Sequence, residues 1–134
     1  MKRHLILVSI FLTICSLALV RSQPVQAEDA EKEARAVFVK MVNAAKAGNT
    51  SEFKSYLTKE DLKEMEQQGF IDFMMMMMAG ETPEQFKAYV NDDRIEFKKE
   101  VKQSSGEGNS TSTTTVHMMK EGGQWKFGKP RSSK

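Results

Sequence analysis

Five consecutive methionines, Met74 to Met78, are the residues of this sequence whose type and spacing first suggest chemistry. Thioether sulfur is a soft ligand that selects Cu(I). On a helix, Met74, Met77 and Met78 share one face, and His117 is a further candidate ligand if a sheet packs on this segment. The alternative is a flexible apolar filler, because methionine adapts to irregular packing. Copper-binding methionines are usually spaced among polar residues, so the sequence favours the filler and predicts no cofactor.

The aromatic residues beside the methionines extend the apolar segment over residues Phe70 to Ala79. A helix that is apolar nearly all round is predicted to be buried or to line a cavity. The favoured functional hypothesis is therefore non-catalytic binding of a small apolar ligand or a protein partner. The predicted lining residues are Phe70, Phe73, Met74, Met77 and Met78.

A catalytic alternative depends on Asp72, which lies inside the same apolar segment. Burial there would raise the pKa of its carboxyl group, as in the general base of an isomerase-type pocket. With the hydroxyl group of Tyr56 or Tyr89 as a hydrogen-bond donor, Asp72 would form the site of a small isomerase or lyase. The ordinary interpretation is that Asp72 caps a turn or faces water and that both tyrosines pack in the core. His117 has no predicted orienting partner and is not assigned as a base.

The first 27 residues have the pattern of a cleavable secretory signal peptide. Three basic residues precede an apolar stretch over residues 5–20, and cleavage is predicted between Ala27 and Glu28. The apolar stretch is shorter than the roughly 20 residues of a transmembrane helix and is interrupted by hydroxyl groups. We therefore predict a signal peptide over residues 1–27, a single domain over residues 28–134, and membrane contact only during export.

Cleavage would change the chemistry of the chain. Loss of Lys2, Arg3 and Arg21 reduces the 20 basic residues to 17 against 18 acidic ones, a net charge of −1. A domain with this balance is not predicted to bind nucleic acid through its overall charge. The single cysteine, Cys15, also leaves with the signal peptide, which excludes disulfides and cysteine nucleophiles from the exported domain.

Helical patterns dominate the first two thirds of the exported domain. Helix one is predicted from a stripe of apolar residues at helical spacing, with acidic residues from Glu28 onward at its start and Gly48 at its end. Further starts are predicted at Asn49, at Thr58 and at Thr82-Pro83. The stripe consists of Ala34, Val37, Phe38, Met41, Val42 and Ala45.

The period changes from 3.6 to 2 near Arg94. Three strands are predicted, over residues 94–102, 111–120 and 124–129, joined by a flexible loop over 104–110 and a tight turn at 121–123. The tail from about residue 130 is predicted to fray. Helices followed by a meander predict an α+β fold, with helices packed on one face of a curved antiparallel sheet. The predicted inward residues are Ile95, Phe97, Val101, Val116, Met118, Trp125 and Phe127, with His117 and Met119 on the other face.

Two segments resemble a known family. AVFVKMVNAAKAGNTSEFKSYLT (36–58) resembles the first two helices of small exported nuclear-transport-factor-2-like domains, and VHMMKEGGQWKFGK (116–129) resembles their last hairpin. The resemblance implies a cone-like fold in which helices and a bent sheet enclose a pocket. It implies a bacterial protein, secreted or periplasmic, within a group that includes isomerases, dehydratases and many domains of unknown function. A homodimer formed through the sheet is also implied, because this family often dimerises in that way.

Overall fold

The computed structural model describes residues 23–106 and 108–131, and it has helices first and an antiparallel sheet second. The predicted α+β class is therefore confirmed. A single 3-10 turn, Pro83–Gln85, joins the two halves. The helices are α1 (Gln23–Lys46), α2 (Thr50–Ser55), α3 (Lys59–Gln68) and α4 (Ile71–Ala79). The strands are β1 (Lys87–Val90), β2 (Arg94–Ser105), β3 (Gly108–Glu121) and β4 (Gln124–Phe127).

Helix α1 is the central helix of the domain. It begins at Gln23, so the acidic residues from Glu28 onward are not in its first turn, contrary to the prediction. The bond predicted to be cleaved, between Ala27 and Glu28, lies within this helix, whereas residues 1–22 of the predicted signal peptide lie outside the described residues. Across residues 23–106 and 108–131, no helix combines the length and the apolar character needed to cross a membrane.

The next two helices begin at the predicted capping residues. The Asn49 side chain accepts a hydrogen bond from the Glu52 backbone N–H at 3.2 Å, and the Thr58 hydroxyl oxygen accepts one from the Asp61 N–H at 3.3 Å. Both bonds satisfy amide groups that have no partner inside a helix. Gly69 ends α3 with φ of +69°, a conformation that glycine adopts without steric strain.

The sheet has four strands in the order β1-β2-β3-β4, all antiparallel. The helix predicted to start at Thr82 is wrong beyond its first turn, because Phe86 is already extended and the chain from Lys87 pairs with β2. Residues 91–93 then form the loop that leads into β2, with the Asn91 N–H bound to the Arg94 carbonyl. Hydrogen bonding to the edge of β2 overrides a local sequence that favours a helical start.

Strands β2 and β3 extend further than predicted. They pair from Arg94↔Met119 to Ser105↔Gly108, so the predicted loop over 104–110 is confined to the end of the hairpin. The outer part of this hairpin projects past the helices, and Val101, predicted to point into the core, is exposed. The other predicted inward strand residues are buried: Ile95, Phe97, Val116, Met118, Trp125 and Phe127.

The core lies between α1 and one face of the sheet. Phe38 of α1 is fully buried, and its ring lies 5.2 Å from that of Phe86 and 5.5 Å from that of Phe97. Met41 and Met118 are also fully buried. Helix α4 packs mainly on α1, which makes it part of an outer layer of the molecule.

Candidate binding surface

Helix α4 is buried on one side only. Ile71, Met75 and Met78 pack into the core, and Met74 is half-buried at the margin. Residues 70–79 were predicted to be buried or to line a cavity, and the structure shows that they are not buried all round. Met77 does not share the inward side of α4 with Met74 and Met78, although one face was predicted for all three. Helix α4 packs against α1 and α2, and nothing within residues 23–106 and 108–131 covers its outer side.

Four large apolar side chains form the outer side. The exposed fractions are 49% for Phe70, 51% for Phe73, 66% for Met76 and 53% for Met77. The spacing of the last three places them within one arc of the helix. The rings of Phe70 and Phe73 meet edge to face, with their centroids 6.1 Å apart. We call these four residues the α4 surface.

A groove of about 200 Å³ lies beside the α4 surface, between α3 and α4. The inner wall of the groove is apolar, because it is formed by Met65, which is almost fully buried. The Lys129 ammonium group lies 3.2 Å from a carboxylate oxygen of Glu64 at the polar side. The lining residues are Glu64, Met65, Gln68, Phe70, Phe73, Met74 and Lys129. Three of the five predicted ligand-binding residues therefore line it, whereas Met77 lies on the open surface and Met78 in the core.

The polar wall of the groove is fixed by Asp61, which lies in the first turn of the helix that follows Thr58. Asp61 is 2% exposed and accepts hydrogen bonds from the Thr58 hydroxyl at 2.6 Å and from the Lys129 backbone N–H at 3.1 Å. Arg131 lies 3.6 Å away and also pairs with Glu60 at 2.6 Å. The chain after β4 is thus held against α3 as far as Arg131.

The structure does not bring Asp72 and the tyrosines together. Asp72 is exposed and lines a wide, shallow hollow of about 420 Å³ that contains no tyrosine. The Tyr56 hydroxyl donates a hydrogen bond to Glu52 at 2.9 Å, and burial, followed by that bond, raises the pKa of Tyr56. Tyr89 lies on the opposite side of the sheet from the core, with the Lys98 ammonium group 5.0 Å from its ring centre. The geometry of the isomerase hypothesis is therefore absent.

The candidate copper ligands are also separated. Met77 is exposed and Met78 is buried, so Met74, Met77 and Met78 do not converge. His117 lies on the face of the sheet opposite Met118, which is in the core. Within residues 23–106 and 108–131, no group of three or more histidine, cysteine or carboxylate side chains is placed to hold a metal ion.

On the outer face of the sheet, His117 belongs to a charge cluster that the sequence did not predict. Glu96 lies directly opposite His117, whose Nδ1 is 3.7 Å from a Glu96 carboxylate oxygen. A hydrogen bond from Lys98, at 2.8 Å, lowers the pKa of Glu96. Burial lowers the pKa of His117, and the Glu96 carboxylate opposes this effect. In the described chain, these side chains line neither the groove nor the hollow. The cluster therefore stabilises the pairing of the strands and is not part of a pocket.

This cluster predicts a pH dependence of stability. Because the pKa of His117 is lower in the folded chain than the value of 6.5 of a free side chain, the unfolded chain binds more protons as pH falls below that value. We expect the unfolding temperature to decrease between pH 7.5 and pH 5.5, above the range in which Glu96 titrates. The decrease should be smaller in His117→Gln, measured by the fluorescence of Trp125, the single tryptophan. An unchanged decrease in this variant would assign the effect to other groups.

Comparisons with models of protein families, with curated proteins and with solved structures gave no match for this chain.

Proposed function

We propose that this protein is a non-catalytic binding domain that captures an apolar segment of a protein partner on the α4 surface. The observation that supports this function is the exposure of Phe70, Phe73, Met76 and Met77 on α4 and at its N-terminal cap. Large apolar side chains scattered singly are normal on a protein surface, whereas a contiguous group marks an interaction site. Aromatic residues and methionine are enriched at the centres of interfaces.

The size of the groove favours a protein partner over a small ligand. Pockets for small molecules usually enclose about 300 to 1,000 Å³ and bury most of the ligand. The groove between α3 and α4 holds about 200 Å³ and is open along the α4 surface. A space of this size suits one large apolar side chain of a partner. The remaining contacts would then be made on the flanking Phe73, Met76 and Met77.

The buried side of α4 holds the helix in place, and the exposed side can adapt to a partner. Ile71, Met75 and Met78 anchor the helix in the core. The exposed methionine side chains are unbranched and can rearrange to fit a partner. Binding would therefore order few backbone groups, which limits its entropic cost.

The proposed function includes a cellular location and a protein family. The basic and apolar start of the chain supports an exported, bacterial envelope protein with a cleaved signal peptide. The two segments quoted above support a nuclear-transport-factor-2-like domain with a cone-like shape. Helices that precede a four-stranded meander are compatible with that family.

Site-specific photo-crosslinking tests the proposed function. A photoreactive amino acid at position 76 is expected to give one discrete protein adduct in the cells that produce the protein. The same group at position 67 should give none, because Gln67 is exposed on α3 but does not line the groove. The partner identified by mass spectrometry should then bind the purified protein directly.

Phe73→Ser is expected to weaken that binding about 30-fold, equivalent to about 2 kcal/mol for a central apolar contact. Half of the Phe73 side chain is exposed, so the fold should tolerate the change. Gln67→Ser is the matched control and should bind like the unaltered protein. Equal binding of both variants, or equal adducts from positions 67 and 76, would contradict the proposed function.

A further inference from the structure

We propose that Met76 and Met77 are sites of reversible oxidation to methionine sulfoxide by hydroperoxides, and that this modification makes the α4 surface polar. The inference goes beyond the proposed function, because both the modification and the change of surface can be measured without a partner. It rests on the contrast between adjacent methionines of the same run.

Exposure divides four methionines of the run into two classes, and the fifth, Met74, is half-buried. Met76 and Met77 are more than half exposed, whereas Met75 and Met78 are 7% and 6% exposed. Oxidation of a thioether requires contact between its sulfur and the oxidant, so its rate follows exposure. The helix period rotates each residue by roughly 100° from the one before it, which places reactive and protected sulfur atoms within the same five residues.

The reaction is a two-electron oxygen transfer. The methionine sulfur attacks the terminal oxygen of the hydroperoxide, the O–O bond breaks, and an S–O bond forms. The proton of the transferred oxygen passes to the leaving oxygen. The sulfur is oxidised and the peroxide is reduced, leaving as an alcohol or, from hydrogen peroxide, as water. The product is a polar sulfoxide that reductases of methionine sulfoxide can convert back.

The position of the sulfoxides decides what the modification changes. At Met76 and Met77 the added oxygen faces water, so the core is not disturbed. The α4 surface, however, loses two of its four apolar side chains. At Met75 or Met78 the same polar oxygen would enter the hydrophobic core and would destabilise the fold. Selective oxidation therefore changes the surface and keeps the fold.

Peptide mapping after graded treatment with hydrogen peroxide tests the selectivity. Fragment spectra should show complete loss of unmodified Met76 and Met77 while Met75 and Met78 remain unmodified. The unfolding temperature of this partly oxidised protein should stay the same. Oxidation of all four residues at equal rates would overturn the proposal.

Retention on a phenyl column tests the change of surface. The oxidised protein is expected to elute earlier than the untreated one, and treatment with methionine sulfoxide reductase should restore its retention. The Met76→Leu/Met77→Leu variant keeps two apolar side chains without sulfur, so peroxide should not shift its elution. Met75→Leu/Met78→Leu is the control and should shift like the unaltered protein. Unchanged retention of the oxidised protein would refute the proposal that oxidation makes the α4 surface more polar. The binding of a partner is tested separately by the crosslinking experiment.

Discussion

Replacing Gly128 by alanine is expected to lower the free energy of unfolding by about 3 kcal/mol, at the upper end of the range for overpacking. A Cβ atom at this position would lie 2.6 Å from the Thr58 methyl carbon and 2.8 Å from an Asp61 carboxylate oxygen. Both side chains are buried and hydrogen-bonded to each other, so neither can move aside easily. For a domain of this size, the loss corresponds to a decrease of about 15 °C in the unfolding temperature.

Gly106→Ala is the matched control for this experiment. No atom lies within 4 Å of the position that its Cβ would occupy, and its φ is outside the left-handed region. We expect a change of less than about 0.5 kcal/mol, as for most surface substitutions. Urea unfolding followed through Trp125 fluorescence measures both variants. Similar stabilities of Gly128→Ala and the unaltered protein would show that the chain after β4 can move away from α3.

Helix starts and inward strand residues could be predicted because each depends on a few neighbouring residues. The caps at Asn49 and Thr58 are local hydrogen bonds, and the inward positions of Phe97 and Val116 follow from alternation. Strand β1 could not be found in this way. Its hydrogen bonds depend on residues 95–98 of the next strand, while the preceding Thr82-Pro83 favours a helical start.

The candidate site could be predicted only in part, because its exposure depends on how the helices pack. Apolar composition identified the segment over residues 70–79 as important, but it could not show that α1 and α2 cover only one side of α4. The exposure of Phe73 and Met76 follows from the number of elements available to cover them, which no local pattern encodes. The exposure of Asp72, which the isomerase hypothesis expected to be buried, has the same physical reason.

Long-range polar contacts were the least predictable feature. Glu96 faces His117 only because β2 and β3 pair in one register, and that register is fixed by the whole hairpin. Asp61 is an ordinary residue of a helix start in the sequence, yet it binds a backbone group of Lys129, which is 68 positions away. A single sequence gives no signal for such a partner.

Asp61 should therefore be the most sensitive polar residue of the domain. We expect Asp61→Ala to lower the free energy of unfolding by about 3 kcal/mol, because it leaves the Lys129 N–H and the Thr58 hydroxyl without their acceptor. Chemical unfolding at pH 7 measures this loss. Hydrogen exchange should also become faster at the Lys129 amide.

Glu60→Ala separates the buried bonds from the surface ion pair. Glu60 is the adjacent residue and pairs with the same Arg131, but its side chain is 65% exposed. Exposed ion pairs contribute little, so we expect a loss of less than about 0.5 kcal/mol. If both variants lose the same stability, the contribution of Asp61 comes from its charge beside Arg131. If only Asp61→Ala is destabilised, the hydrogen bonds to Thr58 and Lys129 hold the wall of the groove, because Lys129 is part of both the network and the groove.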